Sequence, residues 1–172
     1  APALPCLFEN NCTKGKLSPY RKRQAETLAL NVKAMVRHNG LERIGFLTLT
    51  FPDYVTDPKD AQRRWHSFRT HVVRKRYGEA VKVLERCKSG RIHYHLLLVM
   101  SGDIRTGFDF AEVKRGNYRS VGKLLRNEWA FLRSALPKYG FGRHEMLPIK
   151  SNADGAARYI AKYLTKAEAH PN

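Results

Sequence analysis

Residues 81–99 read VKVLERCKSGRIHYHLLLV. Val81 to Glu85 and Ile92 to Val99 are two runs of strand formers, and Lys88-Ser89-Gly90 between them predicts a tight β-hairpin. Side chains alternate along a strand, so His93 and His95 project from one face, about 7 Å apart, while Ile92, Tyr94, Leu96 and Leu98 point to the other. A three-residue loop with Gly90 in the left-handed conformation sets Cys87 opposite Arg91 and Glu85 opposite His93. Glu85, His93 and His95 then converge as one carboxylate and two imidazoles. Such a mixed N/O set with coordination positions left open suits a divalent metal held for catalysis. A two- or four-residue loop would turn Glu85 to the wrong face.

The elements on either side give the hairpin its context. Ser18-Pro19 reads as a cap followed by proline at the first helical position, Leu28, Val32, Met35 and Val36 keep helical spacing, and Asn39-Gly40 stops the helix. Ile44 to Pro52 alternates and predicts a strand. Asp57-Pro58 opens a second helix, with Ala61, Trp65, Phe68 and Val72 as its buried stripe and Gly78 at its end. After the hairpin, Ser101 to Asn117 reads as a loop and Ser120 as the cap of a helix carrying Leu124, Leu125, Trp129, Leu132 and Leu136. Gly142 to Ile149 predicts a fourth strand and Asp154 to Ala167 a final helix, with Asp154 as its cap. After the first helix the order is β-α-β-β-α-β and then a helix. The expected class is α+β: a ferredoxin-like, split βαβ antiparallel sheet with helices on one face and the other face open. Residues 1–17, with Pro2 and Pro5, predict an irregular lead-in, and 18–172 a single domain.

The last helix contains AARYIAKYLTK, residues 156–166. At ~100° per residue, with Tyr159 at zero, Lys162 falls at about 300°, Tyr163 at about 40° and Lys166 at about 340°. The spacing predicts one face presenting Tyr159, Tyr163, Lys162 and Lys166, with Ala157, Ile160, Ala161 and Leu164 packed on the opposite side. A phenol beside cations is a plausible nucleophile toward phosphorus, and the lysines would hold the charge that develops on the phosphate.

The chain of 172 residues carries 32 Lys plus Arg against 15 Asp plus Glu, a net charge of +17. That excess, spread along the whole length, calls for a polyanionic partner, and nucleic acid leads because neutralised phosphates release counterions. The longest apolar run, Leu96 to Met100, is far short of the ~18 residues of a membrane span. With no secretory pattern at the start, a cytoplasmic protein with no membrane partner is expected. Three cysteines give neither a disulfide framework nor a four-ligand zinc pattern.

His93-Tyr94-His95 resembles the histidine-hydrophobic-histidine signature of the HUH endonucleases, the rolling-circle replication initiators. Phe46-Leu47-Thr48-Leu49-Thr50-Phe51-Pro52 resembles their first motif, and Tyr159 to Lys166 is similar to their catalytic-tyrosine motif. The doubled Tyr-x-x-Lys unit looks most like the initiators of single-stranded DNA phages. The resemblance spans Phe46 to Lys166, with three short motifs in the expected order. It implies a covalent 5′-phosphotyrosine intermediate, Mg²⁺ or Mn²⁺ as the metal, Glu85 as the third, acidic ligand, and Tyr159 as the initiating nucleophile. Tyr163 is then a second nucleophile or an accessory. The implied substrate is single-stranded DNA at an origin, with or without a hairpin. No phosphate-binding Gly-rich Lys-Ser/Thr loop is present, which leaves a host helicase as a further partner.

Thr48, Thr50, Arg91 and Arg158 are candidate DNA contacts. Arg63, Arg64, Arg69, Arg74, Lys75 and Arg76 make a basic helix face, either solvated or set against a DNA backbone. His144 and Glu145 lie near the expected site but read better as surface residues. Two competing functions share these features. One is a transposase with the same chemistry. The other is a non-enzymatic single-stranded nucleic-acid-binding module, for which aromatics rather than histidines would be expected on the open face.

Overall fold

The computed structural model describes residues 17–166. The lead-in expected over 1–17 therefore falls outside the described residues, apart from Leu17, as does the expected helix end at Ala167. Helix α1 (Pro19–Asn39) begins where Ser18 accepts from the Arg21 amide, and it ends at Gly40, whose φ of +87° costs glycine nothing. A 3-10 turn leads into β1 (Ile44–Leu49). Asp57 accepts from the Lys59 amide at 2.9 Å to cap α2 (Pro58–Phe68). The chain continues through a π turn, Arg69–Val73, into a last turn, α3 (Arg74–Arg76). The hairpin of β2 (Ala80–Arg86) and β3 (Ile92–Val99) follows. Then come a short α4 (Phe110–Lys114), α5 (Lys123–Ala135), a 3-10 turn at Leu136–Tyr139, β4 (His144–Pro148) and α6 (Ala153–Lys166).

Two caps differ from the sequence expectation. Gly122 rather than Ser120 precedes α5, because the Ser120 hydroxyl accepts from the Asp109 amide at 3.0 Å, where Asp109 in turn caps α4. The stretch expected to be all loop thus holds a helical turn. At α6, Asn152 accepts from the Gly155 amide at 2.9 Å, so Asp154 lies inside the first turn and pairs with Lys33 of α1 at 3.0 Å. An acidic side chain there is still favourable to the helix dipole.

The sheet runs β2-β3-β1-β4 with every neighbouring pair antiparallel, the strand order of a split βαβ fold. Leu47, Leu49, Tyr94, Leu96 and Leu98 pack on one face against Trp65 and Phe68 of α2 and Leu125 and Leu132 of α5. The opposite face is not left bare. Val32 and Met35 of α1 and Ala156, Ala157, Ile160 and Tyr163 of α6 lie over Ile44, Val83, Leu97 and Val99 in a second core. The apolar stripe of α1 and the small residues of α6 have to be buried somewhere, and the free side of the sheet is where they go. Among the described residues, no helix is long and apolar enough to cross a membrane.

The hairpin has the register that the three-residue loop dictates. Gly90 adopts φ +83°, its amide reaches the Cys87 carbonyl at 2.8 Å, and the Cys87 amide reaches the Arg91 carbonyl at 2.9 Å. Glu85 stands opposite His93.

Candidate functional site

The residues that converge do so because β3 is an interior strand with a neighbour on each side. His95 faces Thr48 on β1 and Val83 on β2, while His93 faces Glu85. All four polar side chains share the face covered by α6, and all are buried: Thr48 1%, Glu85 2%, His93 6% and His95 0% exposed. A carboxylate so deeply buried needs a partner. Glu85 Oε2 has one in His95 Nε2 at 2.6 Å, and the other ring nitrogen, Nδ1, lies 3.2 Å from Thr48 Oγ1. The imidazole is therefore held at both nitrogens, in the manner of a ring whose orientation matters. His93 lies with Nδ1 3.6 Å from Cys87 Sγ. Burial pulls the His93 pKa down, with His95 and Arg91 adding to this and Glu85 opposing it.

Helix α6 brings its tyrosines to this cluster. The Tyr163 ring lies on the His95 ring, and its hydroxyl donates to the Tyr159 hydroxyl at 3.0 Å. Tyr163 is 2% exposed and Tyr159 41%. Burial, and then the bond to Tyr159, push the Tyr163 phenol well above its usual range. Phe46 ties the parts together, stacking on His95 at 5.7 Å and meeting Tyr159 edge-on at 5.2 Å. The Lys162 ammonium sits 4.2 Å from the Tyr159 ring centroid and 5.2 Å from that of Tyr163. The backbone of α6 reaches Lys166, whose side chain lies outside the described part of the structure.

The helix is thus rotated from the expected wheel. Its buried arc runs from Tyr163 through Ile160 to Ala157, so Tyr163 belongs to the packed side and Tyr159 stands at its edge. A tyrosine has an apolar body and a polar tip, and it packs as readily as it displays itself.

The donor set can hold a metal ion. Glu85, Cys87 and His93 each offer a ligand atom within 4.8 Å of the others, and the Glu85 carboxylate also touches His95. A carboxylate, an imidazole and a thiol buried together suit a metal ion better than they suit an apolar core.

The family described as replication-associated protein ORF2/G2P matches residues 44–168, from β1 through α6. The chain belongs to the ORF2/G2P family. It is also 49% identical over 177 residues to the Phasyl DNA replicon protein arp of Escherichia coli, a match covering 95% of this chain and 62% of that relative. This ORF2/G2P chain therefore spans less than two thirds of the curated relative's length. No solved structure matches it.

Within this ORF2/G2P fold the remaining sequence candidates separate. Thr50 gives its hydroxyl to the Arg143 carbonyl at 2.7 Å, so both threonines are turned to protein partners rather than to solvent. The Arg91 guanidinium bonds the Phe51 and Asp53 carbonyls, each at 3.1 Å, and tethers the segment after β1 to the hairpin. Arg158 is exposed on α6. Glu145 stands opposite Thr48 on β4 and is exposed, in line with the surface position expected from the sequence. His144 pairs with Leu49 instead. Part of the basic helix face is structural: Arg64 clamps Asp53 at 2.6 Å and Asp60 at 2.8 Å, and Arg76 pairs with Glu128 at 2.7 Å.

Sequence reasoning missed Cys87 and Phe46 as site residues. The signal was present. Phe46 is two before Thr48 in β1, so alternation sets it on the site's face, and Cys87 follows Glu85 by two at the start of the turn that pairs it with Arg91.

Proposed function

We propose that this ORF2/G2P protein is an HUH-type endonuclease and strand transferase that nicks single-stranded DNA at an origin, stays joined to it through a 5′-phosphotyrosine, and so initiates rolling-circle replication. One observation carries the reading: the buried Glu85–His95 pair lies directly against Tyr163, whose hydroxyl bonds the exposed phenol of Tyr159. The family, and the replicon protein similar to this chain, support a role in DNA replication.

The chemistry follows from exposure. Tyr159 is the accessible phenol, so its oxygen attacks phosphorus. A bond forms from Tyr159 Oη to phosphorus as the bond from phosphorus to the 3′ oxygen breaks. The phenol proton passes to solvent base, and the departing oxygen takes up a proton as a 3′ hydroxyl. Lys162, beside the Tyr159 ring, supplies positive charge for the phosphate oxygens. Tyr163 orients the Tyr159 hydroxyl, and its burial argues against its making the first attack. Glu85 and His93 would hold the Mg²⁺ or Mn²⁺ that, when bound, polarises the scissile phosphate. His95, also a ligand expected from the sequence, instead has both ring nitrogens on Glu85 and Thr48 and orients the Glu85 carboxylate. The substrate class is single-stranded DNA, including origins that fold into hairpins, and a host helicase is the partner such a role calls for.

The test is incubation with labelled single-stranded oligonucleotides and Mn²⁺ or Mg²⁺, followed by denaturing electrophoresis. A denaturation-resistant adduct is expected, absent in Tyr159→Phe and His93→Ala and blocked by chelation. An adduct that survives Tyr159→Phe combined with Tyr163→Phe rules the tyrosine mechanism out.

A further inference from the structure

Cys87 directly follows β2, 5% exposed, with its amide and carbonyl both fixed by the hairpin turn. The turn brings its thiol to the side of the hairpin where Glu85 and His93 lie. The sulfur lies 3.6 Å from His93 Nδ1, and Glu85, Cys87 and His93 all present ligand atoms within 4.8 Å of one another. Ligand bonds of about 2.3 Å for sulfur and 2.1 Å for nitrogen, meeting at a tetrahedral angle, separate the two donor atoms by about 3.6 Å. That is the separation found here.

We propose that Cys87 is a metal ligand in this chain, alongside Glu85 and His93, and that the site therefore favours thiophilic divalent ions such as Co²⁺, Zn²⁺ and Cd²⁺ over Mg²⁺. The inference rests on the function proposed above, because it concerns the metal set of the same site. Hard Mg²⁺ takes oxygen ligands, whereas a thiolate shifts preference toward softer ions. Binding replaces the S–H bond with a sulfur–metal bond and releases one proton to the buffer.

The experiment is an optical titration of the full chain with Co²⁺ alone, compared with Cys87→Ser. Cys6 and Cys12 remain in both proteins, so any difference reports Cys87. A sulfur-to-cobalt charge-transfer band is expected in the parent protein and is lost in the variant, where Co²⁺ affinity falls at least tenfold while Mg²⁺ affinity changes less than threefold. X-ray absorption on the Zn²⁺-loaded parent protein should find a sulfur scatterer at about 2.3 Å, a measurement that does not depend on the variant folding. Co²⁺ d–d bands with no sulfur band, or a zinc shell with no sulfur, overturn the assignment and reduce Cys87 to a neighbour of His93. The oligonucleotide adduct with Mn²⁺ is scored separately, so loss of the sulfur ligand and loss of the nicking reading are told apart. No Co²⁺ or Zn²⁺ uptake at all overturns Cys87 ligation as well.

Discussion

The His95 imidazole lies flat against the Tyr163 ring, with centroids 3.7 Å apart and planes 14° apart. This contact joins the middle strand of the sheet to the last helix. It also seals the Glu85–His95 pair from water, because α6 cannot lift away without exposing a buried carboxylate. The tyrosine motif is therefore delivered to the histidine motif by core packing, and the two arrive together or not at all.

Substitutions at the two tyrosines should have opposite consequences. Tyr163→Ala removes the ring that covers His95 and should cost about 3 kcal/mol of stability, the scale of an aromatic truncated in a core. Tyr163→Phe keeps the stack, loses one hydrogen bond and should cost about 1 kcal/mol, with the DNA adduct reduced but present. Tyr159→Phe should leave stability within about 1 kcal/mol, since Tyr159 is half-exposed, yet abolish the adduct. Denaturant midpoints and adduct yields read the two effects separately. An adduct carried by Tyr159→Phe but not by Tyr163→Phe would reverse the assigned roles.

Glu85 should show both a structural and a binding effect. Glu85→Ala leaves His95 Nε2 without its partner at a wholly buried position and should cost about 2–3 kcal/mol in metal-free buffer. Glu85→Gln keeps the shape and a hydrogen bond, so it should cost less than Glu85→Ala. In the parent protein, saturating Mn²⁺ at a hundred times its Kd should add about 2.7 kcal/mol. Little of that gain should remain in Glu85→Gln. Thermal unfolding with and without Mn²⁺ checks this, and an equal gain in both proteins would remove Glu85 from the ligand set.

The sheet and the hairpin register were legible in the sequence because they rest on period two and on loop length, both local quantities. Gly90 alone fixes the loop, and the loop fixes Glu85 against His93. The covering of the second face was not legible. The stripe of α1, Val32 and Met35, announces that something is buried but not against what, and only the path of the chain brings α6 to meet it. The wheel of α6 failed at Tyr163 for a related reason. Angles give which residues share a side, while the centre of the buried side depends on the partner surface, here His95 and Val83.

Gly45 in β1 and Gly142 just before β4 should tolerate alanine differently. A Cβ on Gly142 would come within 2.9 Å of the Pro52 backbone nitrogen, and the Gly142 amide already holds the Thr50 carbonyl at 2.9 Å. Backbone cannot step aside, so Gly142→Ala should cost about 1–3 kcal/mol. A Cβ on Gly45 would meet the Met146 sulfur at 2.6 Å and the Met100 methyl at 2.9 Å. Both methionines are buried, but their flexible thioether chains can shift more readily than backbone, so Gly45→Ala should cost less than Gly142→Ala in parallel urea titrations.

Lys82 should make stability depend on alkaline pH. Its ammonium lies 4.1 Å from the Tyr94 ring centroid and 5.2 Å from that of Trp65, and it donates to Gln62 Oε1 at 2.9 Å. Burial, helped by Arg69, holds its pKa down to about 8. The ordinary lysine value is about 10.4, so between these limits the unfolded chain binds a proton that the folded chain has released. Stability from this group therefore rises as pH climbs from about 8 toward 10.4. The penalty for burying the charged form is fully present below that window, offset in part by the rings and by Gln62. Lys82→Met removes both the penalty and its pH dependence. It should stabilise the protein by about 1 kcal/mol at pH 7, and the advantage over the parent should shrink by pH 10. Guanidinium midpoints of the two proteins at both pH values measure the difference. A gap that stays constant or widens with pH would show that Lys82 is not held below its usual range.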